Sequence, residues 1–475
     1  MSSRHGLRWW PVFKRPGNNS SKVTIHPARV GLLGLMALFL IWLVLTKSLP
    51  YVFAPIAPQL ALWLAPDHPV ALEVQANRAR ARLLELVTAE SLKTRQKKES
   101  ESQGSDATIS FAAPDLVSDK QSREVERKEL REKIRVLAKK ILTNDPLNAR
   151  AFRLLGEVEN DPDRVRILMR EAVKRSRRES VAVFWLLNDS FHRKEYKKTL
   201  ELADILLRTR PALNKYVMSY LGQIAQDTRG RELLLERLVA HPSWRSLFFS
   251  ALPRHVKFAN TPLELMMALK DAGHPPSPAD LNPYLSFLLA KKLVDPAYNA
   301  WLQLLPDEEL ATLGLVYNPS FESTPSSLPF DWQIGRPVNA TVDFTLRDDE
   351  QKGRALHMSF VSGRVTFPTM RQILMLSPGR YRLSLQYHGK IIAKRGLRWR
   401  LSCFQNQRKM LAETDMLMGV QSRWRTIVRD IEVPDIPECR AQVLQLLHDA
   451  RSASEHFITG QVWFDELELS RLGAE

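Results

Sequence analysis

The segment "YRLSLQYHGKIIAKRGLRWRLSCF", residues 381–404, carries the pattern that decides the fold. Apolar and polar residues alternate in "YRLSLQYH" and again in "LRWRLSCF", and the stretch "GKIIAKRG" separates the two runs. An alternation with period two indicates β-strands, because successive side chains point to opposite faces of a strand. Comparable short runs with Gly and Pro between them continue to the C-terminus. We therefore predict an antiparallel β-sandwich of roughly ten strands over residues 315–475, since two sheets are needed to cover one core.

The phase of the alternation separates core residues from surface residues. One face of each run is apolar and is predicted to form the core: Tyr381, Leu383, Leu385 and Tyr387 in the first run, and Leu397, Trp399, Leu401 and Cys403 in the second. If the two runs pair with Leu385 opposite Trp399, the outer face gathers four polar residues, Arg382, Gln386, Arg398 and Arg400. Arginine forks suit carboxylates or phosphates, so this patch predicts an acidic polysaccharide or lipid headgroups as ligand. An ordinary solvated face is the alternative.

The order of several short segments gives the sandwich a resemblance. The predicted sandwich begins with "NPSFE" and a later Trp, continues with "LSPGRYRLSL" and ends with "GQVWFDELEL". In this order the segments are similar to jelly-roll carbohydrate-binding modules of the galactose-binding-like superfamily. The resemblance implies a carbohydrate ligand, and a structural calcium ion near Glu322 and Asp465. Trp332 and Trp424 lie near strand starts, where either could face a ligand or the core.

The chain contains two cysteines, Cys403 and Cys439, both in the predicted sandwich. In an exported chain an even pair indicates a disulfide, and two thiols are too few for a structural zinc site. Cys403 is in phase with the core residues of its strand. Cys439 follows a Pro-rich reversal of the chain, so the two residues can meet across neighbouring strands. Two separately buried free thiols are the alternative.

The N-terminal region has the pattern of a membrane anchor. No Asp or Glu precedes Asp67, whereas six Lys or Arg residues precede the apolar run "VGLLGLMALFLIWLVL". We predict a transmembrane helix over residues 30–46, a basic cytoplasmic segment over 1–29 and a proline-broken, membrane-proximal segment over 47–66. This topology predicts a single-pass protein of the bacterial inner membrane with most of the chain in the periplasm. A cleaved signal peptide and a buried core helix are the alternatives.

Residues 67–242 show helical periodicity that repeats. Aligning "ARAFRLLGEVEN", "VAVFWLLNDSFH" and "NKYVMSYLGQIA" places Phe152, Phe184 and Met218 in one column, at steps of 32 and 34 residues. A later column contains Gly156, Asn188 and Gly222. The pattern resembles the tetratricopeptide repeat, which implies a helical solenoid whose concave face binds envelope proteins. An irregular helical bundle is the alternative.

Two further segments complete the domain organisation. Residues 99–121 are polar and of mixed charge, which predicts a disordered insert between the first repeat helix and its partner. Residues 243–314 contain short amphipathic runs and Pro-rich breaks, which predict closing helical hairpins before the sandwich. The fold class is thus multidomain, α followed by β.

The sequence contains none of the common catalytic or nucleotide-binding motifs, so we expect a protein that is not an enzyme. Glu466 and Glu468 share one face of the last predicted strand. Two acids in this position are commoner as edge charges than as a catalytic pair. The net charge of +17 does not indicate a nucleic-acid partner if the chain is exported. The sequence predicts a membrane-anchored extracytoplasmic scaffold for envelope or exopolysaccharide synthesis or export. The alternative is a protein-assembly scaffold whose sandwich binds protein.

Overall fold

The structure, a computed structural model, describes residues 27–102, 114–347, 353–361, 363–366 and 370–473. The chain forms two compact units, Met1–Ala182 and Val183–Glu475. The first unit is helical, and the second contains further helices followed by an antiparallel two-sheet sandwich. The predicted order of α followed by β is therefore confirmed.

The predicted membrane anchor corresponds to a short helix. Helix α1, Pro27–Leu43, is 17 residues long and passes into a π-helical turn at Val44–Ser48. Two proline-containing helices follow, α2 at Leu49–Phe53 and α3 at Pro58–Leu64. Within the residues that the structure describes, no helix is both long enough and apolar enough to cross a membrane. Most of the segment predicted to be cytoplasmic, residues 1–26, lies outside the described residues.

The core of the first unit joins helices from both sides of the predicted insert. The helices are α4 (Pro69–Ser102), α5 (Pro114–Asn144), α6 (Ala149–Val158) and α7 (Pro162–Arg175). Leu83, Ile134 and Leu154 belong to one apolar cluster shared by α4, α5 and α6. Both long helices extend into the segment predicted to be disordered, because its Lys, Glu and Gln residues are good helix formers. The centre of that segment, residues 103–113, lies outside the described residues.

The helices of the second unit continue the pattern of short helices joined by tight turns. They are α8 (Ser180–His192), α9 (Tyr196–Thr209), α10 (Asn214–Gln226), α11 (Thr228–Val239), α12 (Arg245–Ala251), α13 (Thr261–Asp271), α14 (Pro278–Ala290), α15 (Val294–Leu304) and α16 (Asp307–Ala311). Gly222 on α10 lies against the backbone of His255, since a Cβ added there would be 2.7 Å from the His255 carbonyl oxygen. A residue without a side chain is therefore required at this position, although the corresponding Asn188 carries an amide that accepts a hydrogen bond from Tyr220 at 2.8 Å.

In the described residues of the sandwich there are ten strands. They are β1 (Gln333–Ile334), β2 (Ala340–Leu346), β3 (Arg354–Phe360), β4 (Met370–Leu374), β5 (Gly379–Ala393), β6 (Leu397–Cys403), β7 (Met410–Glu413), β8 (Gly419–Val433), β9 (Gln442–His448) and β10 (Ile458–Arg471). The first sheet has the order β1-β4-β9-β6-β7, and the second has the order β2-β3-β10-β5-β8. All strand pairs are antiparallel.

The predicted pairing of the two opening runs is wrong, although their core faces are correct. Strand β5 pairs with β10 and β8, whereas β6 pairs with β9 and β7 in the other sheet. Leu385 and Trp399 are both buried, and they contribute to the core from opposite sheets. The apolar phase of a strand shows which face is buried but does not identify the neighbouring strand.

The core between the sheets is aromatic and closed by a disulfide. Trp399 contacts Trp332 edge to face at 5.7 Å and Phe464 at 5.6 Å, measured between ring centroids. Cys403, at the end of β6, is bonded to Cys439 with the Cα atoms 4.5 Å apart. The predicted disulfide is therefore present, and both sulfurs lie in buried residues.

The outer face of the first sheet is covered by the protein itself. Trp301 on α15 packs against Phe330 and Tyr317, with ring centroids 5.5 and 5.2 Å apart. Ile373, on the outer side of β4, lines a small cavity of about 40 Å³ together with these aromatic residues and is itself buried. Val443, on the outer side of β9, is 0% exposed. Residues 317–330, which open the sandwich, thus connect the first sheet to helix α15 through Tyr317 and Phe330.

Candidate functional site

The outer face of the second sheet carries a row of aromatic and imidazole side chains. Trp463 on β10 is opposite His357 on β3 in one direction and His388 on β5 in the other. The row continues on β2 with Asp343, which is opposite His357. It continues on β8 with Trp424, whose ring contacts that of His388. One side chain from each of the five strands therefore contributes to this row, which we call the aromatic row.

The rings of the row are stacked across the strands. The imidazole of His357 lies 4.4 Å from the indole of Trp463 at an interplanar angle of 20°, and that of His388 lies 4.6 Å away at 8°. Both faces of the Trp463 indole are therefore covered. Trp463 donates its indole N–H to Thr345 Oγ1 at 3.3 Å. Within the described residues, the His357 Nε2 and Trp424 Nε1 atoms are buried without a hydrogen-bond partner. The row is therefore a cross-strand support whose accessible part is its ring edges.

Small and amide side chains flank the row on the same outer face. Beyond His388 and Trp463 the next register positions hold Lys390 opposite Gln461, and Gln461 is opposite Ser359. Lys390 and Gln461 are exposed to solvent. Hydroxyl, amide and ammonium groups beside aromatic rings are suited to a polyhydroxylated ligand, which needs both donors and acceptors.

A buried arginine lies on the other side of the row. Arg347 directly follows β2, and its guanidinium forms an ion pair with Asp465 on β10. The two side chains are 2% and 5% exposed. The Arg347 Nη2 atom is 3.5 Å from Gln386 Oε1, and its Cζ atom is 3.9 Å from the centre of the Trp424 ring. Arg347 therefore joins residues of β10, β5 and β8.

A β-bulge in β10 shapes the same region. The register with β5 shifts between Asp465 and Glu468, and Glu466 between them has a φ of 48°. A non-glycine residue in the left-handed region is strained, and such strain is concentrated at functional sites. Glu466 accepts a hydrogen bond from the amide of Gln386. Burial raises the pKa of Asp465 above its usual range, although its hydrogen bonds from Arg347 and the Glu466 backbone act in the opposite direction.

The residues predicted to hold calcium do not fit a calcium site. Asp465 is occupied by the Arg347 guanidinium and by the backbone N–H of Glu466. Glu322 accepts the backbone N–H of Arg354 at 3.0 Å. Calcium requires six to eight oxygen ligands. Within the described residues, no group of three or more His, Cys, Asp or Glu side chains is arranged to hold a metal ion.

The other predicted site residues are distributed over three places. Trp332 is 0% exposed, so of the two environments that the sequence left open it occupies the core and does not contact a ligand. Arg382 and Gln386 lie on the outer face of the second sheet, where Arg382 forms an exposed ion pair with Asp430 at 2.8 Å. The predicted basic patch is therefore divided, because its remaining arginines lie on β6 in the first sheet.

Arg398 and Arg400 share a carboxylate on the first sheet. Both pair with Glu413 on β7, with 2.6 Å between Arg400 Nη2 and Glu413 Oε1. Arg398 also lies 3.3 Å from Asp449. Their positive charge is thus neutralised within the protein.

The sequence analysis missed His357, His388, Trp463 and Arg347. The first three occupy the polar phase of the runs "ALHMSF", "YRLSLQYH" and "GQVWFDELEL". An aromatic or imidazole ring in the polar phase of several strands was the available signal. The strand order that brings these rings together is not contained in the alternation. No signal in the sequence indicated Arg347, because it lies in a loop.

Comparisons with known proteins concern the sandwich. No protein-family model matches the chain, and no curated protein matches it. Carbohydrate-binding modules are among the solved structures to which part of the chain is similar. They include a CBM4 module (14% identity, 33% of this chain and 99% of the other, TM-score 0.23) and TmCBM61 in complex with β-1,4-galactotriose (15%, 34% and 99%, TM-score 0.22). A third is the CBM22-1 xylan-binding domain of Paenibacillus barcinonensis Xyn10C (13%, 33% and 93%, TM-score 0.22). We draw nothing about a ligand from these similarities.

Proposed function

We propose that the sandwich binds an extended saccharide across the outer face of its second sheet. The observation that carries the proposal is the aromatic row, which crosses all five strands of a sheet face that keeps exposed polar groups beside it. Four inter-strand spacings of about 4.8 Å give the row a length of roughly 19 Å, which is enough for several sugar units. The flanking hydroxyl, amide and ammonium groups would bind the saccharide hydroxyls, and the ring edges would contact its C–H groups.

The proposal extends to the whole chain. The protein is a scaffold that organises cell-envelope or exopolysaccharide synthesis or export outside the cytoplasm, with a bacterial inner-membrane location. The Cys403–Cys439 disulfide supports an oxidising compartment, and the basic residues before the apolar run support a cytoplasmic N-terminus. In this proposal, residues 67–242 form a tetratricopeptide-like solenoid whose concave face binds an envelope protein.

The test is affinity electrophoresis of the full chain, purified in detergent, through gels containing soluble polysaccharides. The probes are the neutral β-1,4-galactan and xylan and the acidic alginate. Because the chain carries a net charge of +17, alginate can retard it without a specific site. Gels at about 0.15 M salt screen this term, since the Debye length is then about 8 Å. We expect at least one probe to retard the chain under these conditions.

Exposed apolar residues beside the row favour a second candidate, a protein ligand. Val420, which is opposite Lys390 on β8, is 70% exposed, and Ile392, two residues beyond Lys390 on β5, is 57% exposed. If no polysaccharide retards the chain and crosslinking from the native envelope captures a protein at Val420 or Ile392, the saccharide proposal is wrong and the protein-assembly alternative is supported.

A further inference from the structure

Arg347 connects the two edges of the second sheet. It follows β2, one edge strand, whereas Trp424 belongs to β8, the other edge strand. In a flat sheet these strands are roughly 19 Å apart, four spacings of about 4.8 Å. Arg347 nevertheless brings its guanidinium within 3.9 Å of the indole ring on the other edge strand. We call this contact the Arg347–Trp424 bridge.

The bridge passes over residues of the two central strands. Beneath it, Asp465 on β10 neutralises the guanidinium, and Gln386 on β5 lies 3.5 Å from it. Gln386 in turn donates to Glu466 in the bulge. A guanidinium is planar, remains charged at all relevant pH values and stacks on aromatic faces, so one residue can satisfy all these partners. A lysine ammonium has no planar surface to stack on the indole.

We propose that Arg347 is a positioning residue which, as a built-in cation, draws Trp424 and Gln386 over the outer face and thereby forms one wall of the saccharide-binding groove. This inference rests on the proposed function for the groove, although the position of Trp424 is measurable without any saccharide. The Arg347 guanidinium is paired with Asp465, the carboxylate that a structural calcium ion would require. At Asp465 the face is therefore organised by an internal cation.

The first test reads the position of Trp424 in the full chain by ¹⁹F NMR after labelling with 5-fluorotryptophan. The Trp424 resonance is assigned by its loss in Trp424→Phe. We expect Arg347→Met to move this resonance towards the position of a solvent-exposed indole, and Arg347→Lys to move it part of the way. The matched control is Arg429→Met, which removes a guanidinium from the same strand as Trp424 that pairs with Asp415 at 2.5 Å. The control should leave the Trp424 resonance in place.

A second variant separates positioning from folding. In Arg347→Met the carboxylate of Asp465 is buried without its partner, which lowers stability by itself. The double variant Arg347→Met/Asp465→Asn removes that charge, so we expect its melting temperature to recover while the Trp424 resonance stays displaced. An unmoved Trp424 resonance in a folded Arg347→Met chain would overturn the proposal. A rise in melting temperature of the unmodified chain on adding calcium, reversed by EDTA, would also overturn it.

The saccharide arm uses the polysaccharide that retards the unmodified chain. We expect Arg347→Met to lower the affinity measured by retardation about tenfold and Arg347→Lys to lower it less. Arg429→Met should leave this affinity unchanged. If the unmodified chain binds no probe but Trp424 still moves, the proposed function fails and the positioning role stands. If a folded Arg347→Met variant binds the saccharide with the same affinity as the unmodified chain, the wall is not part of the groove and the inference is wrong.

Discussion

The outer faces of the two sheets differ in how the protein uses them. On the first sheet, Ile373 and Val443 are buried, and Trp301 from α15 lines a small cavity together with Ile373. On the second sheet, the outer face carries the aromatic row and the exposed side chains of Lys390 and Gln461. One sheet face is used to attach the sandwich to the helices, and the other remains accessible. This asymmetry locates the proposed ligand surface more firmly than the charge of either face.

Charge does not distinguish the two faces, because Arg347 and Arg382 on the second sheet are also paired with carboxylates. Arg398 and Arg400 on the first sheet share Glu413, so their cations are already paired and contribute to stability. A net charge of +17 for the chain thus gives no indication of where a ligand binds. Perturbing the first sheet should change stability, whereas perturbing the aromatic row should change binding.

The largest expected effect concerns the disulfide of the first sheet. Replacing both cysteines, Cys403→Ala/Cys439→Ala, should lower the free energy of unfolding by about 4 kcal/mol, because the bond closes a loop over a sequence separation of 36. Calorimetric melting of the full chain with and without reductant measures this effect. Polysaccharide retardation well below the melting temperature should be unchanged. An unaltered melting profile in the double variant would contradict the stabilising role of the bond.

A smaller effect is expected from the shared carboxylate. Glu413→Gln leaves Arg398 and Arg400 without their common anion and should cost about 2 kcal/mol in urea unfolding, the range of hydrogen bonds to charged groups. The matched control is Asp430→Asn, which breaks an ion pair with Arg382 in which the side chains are 52% and 49% exposed. That control should give no measurable change. Equal effects of the two variants would show that burial does not distinguish the two pairs.

The smallest expected effect is a pH dependence from His448 on β9. Burial, its largest cause, lowers the pKa of this imidazole from 6.5, so the folded state favours the neutral form. At a pH below the ordinary pKa of 6.5, His448 binds a proton more readily in the unfolded chain than in the folded chain. The contribution of His448 to stability is therefore lost as the pH falls. His448→Gln should therefore narrow the difference between urea midpoints at about pH 7.5 and about pH 5.5. The same or a wider difference in the variant would be incompatible with this account.

Local patterns in the sequence predicted the elements of the sandwich but not their neighbours. The alternation around Leu385 and Trp399 predicted both buried faces, because burial is a local property of a strand. The position of β10 between β3 and β5 depends on long-range pairing, and this position creates the aromatic row. The disulfide was predictable, since the chain has two cysteines and one lies in the core phase of its strand. Arg347 was not, because a loop residue has no periodic signal.

Isothermal titration calorimetry on the full chain and two variants tests the central claim most directly. The titrant is the polysaccharide that retards the unmodified chain most strongly. Trp463→Ala removes the centre of the aromatic row without changing the charge, and Arg400→Ala removes a cation from the opposite sheet. We expect Trp463→Ala to weaken binding by about tenfold or more, as for a central contact residue, and Arg400→Ala to leave the affinity unchanged. Unchanged affinity in a folded Trp463→Ala chain, with a loss in Arg400→Ala, would contradict the assignment of the ligand surface to the second sheet.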